Sequence, residues 1–439
     1  MKPAQFGTVP KASFSGNIQT IIRTIKGSFM LDLPKVTITE KGERHAKDGH
    51  PWVFEGEVVA VDTRPEDGAL VNVFSKKDRF IGTGFYNSHS KIRVRLISAN
   101  ANDKFDRAFY ERRIKYALDY RRTVMGDDMH ASRLIFGEAD LFPGFTVDLF
   151  EDVLVCQVLS LGIENIKDML FDILLKLLPE YGVHPRAIYE RCDVAIRELE
   201  GMEQFKGYYK TAGLGLSDGS DMDGHVTITE NGIKFDVDYV NGQKTGFFLD
   251  QKYNRRAAAK LARGRRVLDC FTHTGAFALN CAAAGAEHVT AVDISAAAIA
   301  QTKKNAELNS LAGVMSFETA DVFELLTSMV NEKRREYDYI ILDPPAFTKS
   351  SSTVRDAYRG YKDINMRAMR SLPRGGYLAT CSCSHFMETP LFCKMLREAA
   401  SDAGVSLRQI EERTQSPDHP ILWNVPETDY LKFFIFQVV

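Results

Sequence analysis

A doubly wound α/β domain, preceded by a small β barrel and an α+β region, is the architecture the sequence predicts. Three observations predict it. From about Arg265 onward, strand-like runs alternate with helix-like ones, the pattern of a parallel sheet with crossover helices. Residues 51–98 hold short β-branched and aromatic runs separated by Gly, Asp and Asn, the texture of a small barrel. Between the two, helices and strands mix without regular alternation. The expected divisions are an extension over 1–29, a β domain over 30–103, an α+β domain over 104–240 and an α/β domain over 241–439.

The bulk numbers narrow the function classes. At 439 residues the chain has room for about three domains. With 56 basic and 58 acidic side chains the formal charge is −2, which argues against a protein that coats nucleic acid nonspecifically. Seven cysteines without a CxxC pair suggest a reducing cytoplasm and no zinc ribbon, so no metal is expected. No apolar run reaches the roughly 18 residues of a membrane span.

In chain order, Met1–Phe29 is basic, lacks acids and has few large apolar residues. It reads as a disordered extension, with Met30 as a natural start, in preference to a transit peptide. PWVFEGEVVAVD, ALVNVFSKKD, RFIGTGFYN and KIRVRLIS then read as strands. In the last, Arg93 and Arg95 alternate with Ile92, Val94 and Leu96, which would give one basic and one core face. Phe105–Thr123 has helical spacing, with Phe109, Ile114, Ala117 and Leu118 inward and Arg112, Arg113, Lys115, Arg121 and Arg122 on a basic outer surface. VTITENGIKFDVDYV reads as a hairpin turning at Asn231-Gly232.

The centre of the α/β domain is Arg265–Asp293, read as strand, loop, helix and strand. Ligands of such units sit beyond the carboxyl ends of the strands, here beside Asp269 and Asp293. The loop carries one glycine, Gly275, and not GxGxxG, so it offers little close backbone to a pyrophosphate. An acid ending the second strand suits a ribose with free hydroxyls. These features favour a nucleoside cofactor without phosphates, S-adenosylmethionine, over NAD. Asp321 and Asp343 continue the series, and Pro344 and Pro345 stiffen the loop after Asp343. Asp250 is expected to cap the helix that leads into this unit.

LDCFTHTGAFAL, TGFFLDQKYNR, LDPPAFTKS, RGYKDIN and CSCSHFM, in this order, resemble the bacterial 23S rRNA large subunit methyltransferase I family. HPWVFEGEV is similar to the start of that family's PUA domain, and GEADLFPGFTVD to its central domain. The resemblance runs from about Leu33 onward. It implies a Rossmann-like S-adenosylmethionine-dependent methyltransferase domain preceded by a PUA-like barrel and an α+β central domain. It also implies 23S rRNA as partner and 5-methylcytosine as product, in the cytoplasm and away from membranes; a homodimer is compatible with it.

By the same resemblance the nucleophile falls on Cys383, with Asp343 at the cytosine edge near N3. The cofactor would lie among Phe248, Asp250, Gln251, Arg255, Asp269, Phe271, Thr274, Gly275, Asp293, Ile294, Asp321, Asp343 and Pro344. A cysteine is wanted because cytosine C5 is a poor nucleophile until a thiolate adds to C6. Cys381, on the same side of the strand, is read as core packing, and Ala346 stands where two-cysteine relatives carry a second thiol. His273 receives no catalytic role. Two other readings stay open: methylation of another RNA atom such as guanine N7, and a catalytically silent RNA-binding ribosome assembly factor.

Overall fold

Seven strands form the sheet of the C-terminal domain: β1 (Arg266–Cys270), β2 (His288–Asp293), β3 (Met315–Thr319), β4 (Tyr339–Leu342), β5 (Tyr377–Ser382), β6 (Leu407–Arg413) and β7 (Lys432–Val438). The computed structural model describes residues 22–25, 28–209, 215–348 and 350–439. The strand order is β3-β2-β1-β4-β5-β7-β6, with β7 antiparallel to both neighbours and the first five strands parallel. The order reverses direction between β1 and β4, and this is where the crossovers leave a crevice beyond the strand ends. Helices α1 (Lys252–Ala259), α2 (Ala276–Ala283), α3 (Ala296–Leu308), α4 (Val322–Asn331), α5 (Val354–Ser371) and α6 (Thr389–Ala403) surround the sheet.

Side chains alternate across the sheet, so each strand feeds two cores. Val267, Ala291, Ile341, Ala379, Cys381 and Phe433 join Phe277 and Leu279 of α2 on one face. Leu268, Cys270, Val292, Ile340, Leu342 and Phe434 pack with α4, α5 and α6 on the other. The Asn231-Gly232 hairpin is as read from the sequence: His225–Glu230 pairs with Ile233–Asp238, and both turn residues have positive φ (53° and 81°). Its Ile228, Phe235 and Val237 share the first of these cores.

The α+β region contains a five-stranded sheet in the order Phe205–Tyr208, Ala187–Cys192, Val153–Val158, Phe145–Phe150, Ala131–Phe136. The expected helix runs from Arg107 to Met125, and Phe109, Ile114, Ala117 and Leu118 are buried as read. Its basic surface is smaller than expected. Arg121 is fully buried, fork-on to Asp140 at 2.5 and 2.7 Å, and also donates to the Arg133 and Asp418 carbonyls. Arg113 is turned inward onto the Ile97 and Leu141 carbonyls. Helical spacing shows which face a residue is on; it does not show that a neighbouring segment covers that face.

Residues 35–98 form a six-stranded mixed sheet in the order Trp52–Phe54, Ile92–Ser98, Phe80–Tyr86, Leu70–Ser75, Lys35–Ile38, Val58–Val61. Its core is Val36, Ile38, Val53, Val71, Val73, Tyr86 and Val94. The basic face expected from Arg93 and Arg95 is neutralised. Arg93 pairs with Glu55 at 2.6 Å, and buried Arg95 reaches Glu200 of the α+β region at 2.7 Å. Asn87 and Ser90 donate to the same Glu200 carboxylate, so Arg95 acts as a clamp between domains and does not present a charge to solvent. Within the segment expected to be an extension, Ile22–Ile25 and Ser28–Leu31 pair as antiparallel strands. Residues 1–21, 26 and 27 lie outside the described residues, and so does the expectation made for them. Among the described residues no helix is long and apolar enough to cross a membrane.

Removing one partner of a buried ion pair leaves an uncompensated charge, at a cost of about 3–5 kcal/mol. Asp140→Ala should therefore lower the denaturation free energy by about that amount. A loss below about 1 kcal/mol would show that Arg121 finds other compensation.

Candidate functional site

The loop Phe271–Gly275, between β1 and α2, has an unusual backbone. Phe271 and His273 adopt positive φ (61° and 52°), as does Gly275 (82°). Such conformations strain non-glycine residues and persist only where the surroundings hold them. Here the Thr272 amide donates to the Val292 carbonyl at 3.0 Å, and the His273 amide to Asp293 Oδ2 at 3.0 Å. From α3, Thr302 donates to the His273 carbonyl and Asn305 to that of Thr274, at 2.8 and 3.0 Å. Only glycine fits at 275, since a Cβ there would lie 2.5 Å from Thr302 Cγ2.

Asp269 lies one residue inside β1, opposite Ala291 and Ile341, and not at the strand end as the sequence suggests. Its Oδ2 accepts from the Thr272 hydroxyl (2.6 Å) and the Ala278 amide (3.0 Å), while its Oδ1 is buried without a partner. Burial pushes this carboxyl up to about 7, and the charge of Asp343 adds to the effect. Thr274 Oγ1 is likewise buried and unpartnered. A buried carboxyl with one unpartnered oxygen, and a buried unpartnered hydroxyl on the loop that follows, fit a cationic cofactor such as S-adenosylmethionine.

Asp293 ends β2, and its oxygens accept from the His273 and Ser295 amides at 3.0 and 2.9 Å. Each oxygen keeps a second lone pair for a ribose hydroxyl. Ile294 follows, exposed, and shares with Ala320, Asp321 and Leu325 a cavity of about 540 Å³. Asp321 caps α4 through the Phe323 and Glu324 amides (2.7 and 3.3 Å), so it is a structural cap that also lines this cavity.

The TGFFLDQKYNR stretch differs from its expectation at two residues. Asp250 caps no helix: it lies in the turn Leu249–Gln251, with Oδ2 accepting from Tyr430 Oη at 2.7 Å. Burial works to raise its pKa, but Lys244, His419 and the Tyr430 hydroxyl hold it well below the usual carboxylate range. Arg255 is buried on Glu230 (2.8 and 3.0 Å) and donates to the Phe248 carbonyl (2.6 Å). It therefore positions Phe248, whose ring meets His273 edge-on at 5.0 Å and lies under Lys244 at 4.4 Å. Burial takes His273 down to about 4, so its imidazole is neutral near pH 7.

Asp343 and Cys381 come together across adjacent strands. Thr380 pairs with Leu342, which places Cys381 beside Asp343. The Cys381 thiol donates to Asp343 Oδ1 at 2.9 Å, and the Gln251 amide reaches the same oxygen at 3.2 Å. Cys381 is thus core, as read, but it also holds the predicted acid in place. Burial raises the Asp343 carboxyl above its ordinary range. Pro344 is buried and Pro345 exposed in the loop that follows. Cys383 lies just beyond β5 on the same side as Cys381 and is partly exposed. Burial pushes its thiol up to about 11, and the charge of Asp343 adds to this.

Lys432 is the residue that the sequence did not flag. It pairs with Ser382 at the start of β7, and its buried Nζ donates to the Ser384 and Tyr430 carbonyls at 2.6 and 2.9 Å. Burial lowers its amine to about 8, against the nearby charges of Asp429 and Cys383. The only signal in the sequence was a lysine opening an otherwise apolar terminal strand.

Comparison with known proteins now settles the family. A family model for S-adenosylmethionine-dependent methyltransferases matches residues 208–437, and one for PUA-like domains matches residues 36–99. The ribosomal RNA large subunit methyltransferase I of Pseudoalteromonas atlantica is 39% identical over 407 residues, 92% of this chain and 99% of the relative. The chain belongs to the ribosomal RNA large subunit methyltransferase I family. Other members include those of Aeromonas salmonicida (40% identity, 88% of this chain, 95% of the relative) and Klebsiella pneumoniae (36%, 92% and 98%). A solved structure from Streptococcus mutans described as a SAM-dependent methyltransferase has the same fold: TM-score 0.76 at 22% identity, covering 92% of this chain and 100% of that one. A second solved methyltransferase of the same TM-score, at 21% identity and with the same coverage, is complexed with SAH. The cofactor of this family is S-adenosylmethionine, which the donor set around Asp269 and Asp293 accommodates.

The carboxylates should respond to separate tests. Asp293→Ala removes a charge-assisted acceptor and should weaken cofactor binding by about 1.5–3 kcal/mol in calorimetry; unchanged affinity would remove Asp293 from the site. A carboxyl whose pKa is raised to about 7 is protonated below that pH and charged above it. Affinity for the cationic cofactor should therefore rise between pH 6 and pH 8 as Asp269 ionises, and Asp269→Asn should flatten that rise. A wild-type affinity that stayed level across this range would contradict the assignment.

Proposed function

We propose that this chain methylates C5 of a cytosine in large-subunit ribosomal RNA, with Cys383 as the nucleophile. The RNA class is that of its relatives, the ribosomal RNA large subunit methyltransferases. The observation that carries the chemistry is the division of labour between two thiols on one strand face. Cys381 is buried and committed to Asp343, while Cys383, one residue beyond β5, is partly open to a substrate.

Burial favours the acid form of Asp343, and in that form it can donate to N3 of cytosine and draw electrons away from C6. That proton transfer and thiolate addition at C6 support each other, since the acid gives up its proton as the ring becomes electron-rich. The resting thiol of Cys383 must lose its proton first. Lys432, whose amine is neutral in a sizeable fraction near pH 8, and Lys244, whose charge favours the thiolate, are the groups that assist. S-adenosylmethionine, when bound, supplies an electrophilic methyl group on a sulfonium, which is what the enamine-like C5 needs. A water molecule then takes the C5 proton, and the C5–H electrons expel Cys383 as thiolate. The thiolate regains a proton from the Lys432 ammonium, and the N3 proton returns to the Asp343 carboxylate.

Cys383→Ala should leave fold and cofactor affinity intact while lowering methyl transfer to an rRNA transcript by about a thousandfold or more. Cys381→Ala should keep most activity, because Gln251 still holds Asp343. Full turnover by Cys383→Ala would sink the cytosine C5 reading and promote direct methylation of a nitrogen such as guanine N7. A wild-type chain that binds cofactor and RNA but transfers nothing would favour a silent assembly factor.

A further inference from the structure

The chain has two tryptophans, and they stand in opposite conditions. Trp52 is half-buried and engaged: its Nε1 donates to Glu138 at 3.0 Å, and the rings of His50 and Phe54 meet it edge-on at 5.3 and 6.1 Å. Trp423 is 96% exposed, and among the described residues no hydrogen bond or ring contact engages its side chain. Leaving an indole in water forgoes a large burial gain, so a displayed tryptophan suggests that something else covers it.

The backbone carrying Trp423 is fixed. Asn424 Nδ2 donates to the Gly49 carbonyl at 2.5 Å, and Glu427 meets His50 at 3.2 Å. Behind it, the Leu422 amide donates to the Thr428 hydroxyl at 2.9 Å, and Tyr430 is bonded to Asp250. An exposed aromatic plane on an anchored loop is the form of a nucleobase-stacking platform.

Its position supports that use. Lys432 Nζ donates to the carbonyls of both Tyr430 and Ser384, the residue after Cys383, so the chain that follows Trp423 meets the thiol's own loop. On its other side, Gly49 follows the helix Glu40–Lys47, which lines a groove of about 280 Å³. Arg44, Lys47, Lys76, Lys77 and Arg79 outnumber Glu40 and Glu43 there, giving the groove the sign that a phosphate backbone requires. The indole thus stands on a segment tied at one end to Gly49, just past that helix, and at the other to Ser384 beside the thiol.

We propose that Trp423 stacks on a base of the RNA strand that carries the target cytosine, with the groove beside Lys76 and Lys77 taking the strand's phosphates. This rests on the RNA-methyltransferase reading above. The test uses the full chain and an unmodified large-subunit rRNA transcript. Stacking on one base predicts a five- to hundredfold weaker Kd for Trp423→Ala, roughly, with cofactor affinity unchanged and Trp423→Phe close to wild type. In a Trp52→Phe variant the remaining indole fluorescence, that of Trp423, should be quenched as the transcript is added. Equal affinity of Trp423→Ala and wild type, or fluorescence that the bound transcript leaves unchanged, would overturn the inference while leaving the proposed substrate intact. If the wild-type chain failed to bind the transcript, the rRNA reading and this inference would fall together.

Discussion

Desolvation at the carboxyl edge of the seven-stranded sheet governs the candidate site. It is the largest influence on Asp269, Asp343, Cys383 and Lys432 alike, and in each case it favours the uncharged form. Burial thus favours the thiol of Cys383 and the acid form of Asp343, brings the Lys432 amine down to about 8 and poises Asp269 at about 7. Such a site is completed by what enters it. A cationic cofactor would charge Asp269, and a cytosine would take the proton of Asp343. The same burial that keeps the groups inert without ligand strengthens their interactions once water is excluded.

Holding these groups together needs a stiff frame, and the frame is built largely from buried arginine and lysine. Arg255 on Glu230 ties the hairpin to α1 and fixes Phe248. Arg133 lies on Asp148 at 2.7 Å, and that carboxylate also accepts from Thr245. Lys252, fully buried, donates to the Asp128 and Ala131 carbonyls of the α+β region. Arg95 does the corresponding work between the PUA-like domain and Glu200. Paired charges of this kind add little net stability over apolar packing, but they allow one geometry and penalise others.

Much of this was legible in the residues themselves. Alternation gave the doubly wound domain, Asn231-Gly232 its hairpin, and the strand-end acids the edge where a ligand would lie. The difference between Cys381 and Cys383 came from the family resemblance and not from strand alternation, which puts both on one side. What sequence could not convey was coverage. Arg121 and Arg95 look like solvent-facing cations until the segments that bury them are placed. Asp250 has the spacing of a helix cap, yet Tyr430, 180 residues away in sequence, takes its carboxylate. Thr302, Asn305 and Lys432 act on loops distant in sequence and carry no local signature.

The central claim is that Cys383 forms a bond to the target base. A large-subunit rRNA transcript carrying 5-fluorocytidine at the modified position tests it most directly, because fluorine cannot leave C5 as a proton does and the adduct cannot collapse. With S-adenosylmethionine present, wild-type enzyme should become covalently joined to the RNA, and peptide mass spectrometry should place the bond on Cys383. A bond on Cys381, or full methylation of the natural transcript with no adduct on the fluorinated one, would contradict the account.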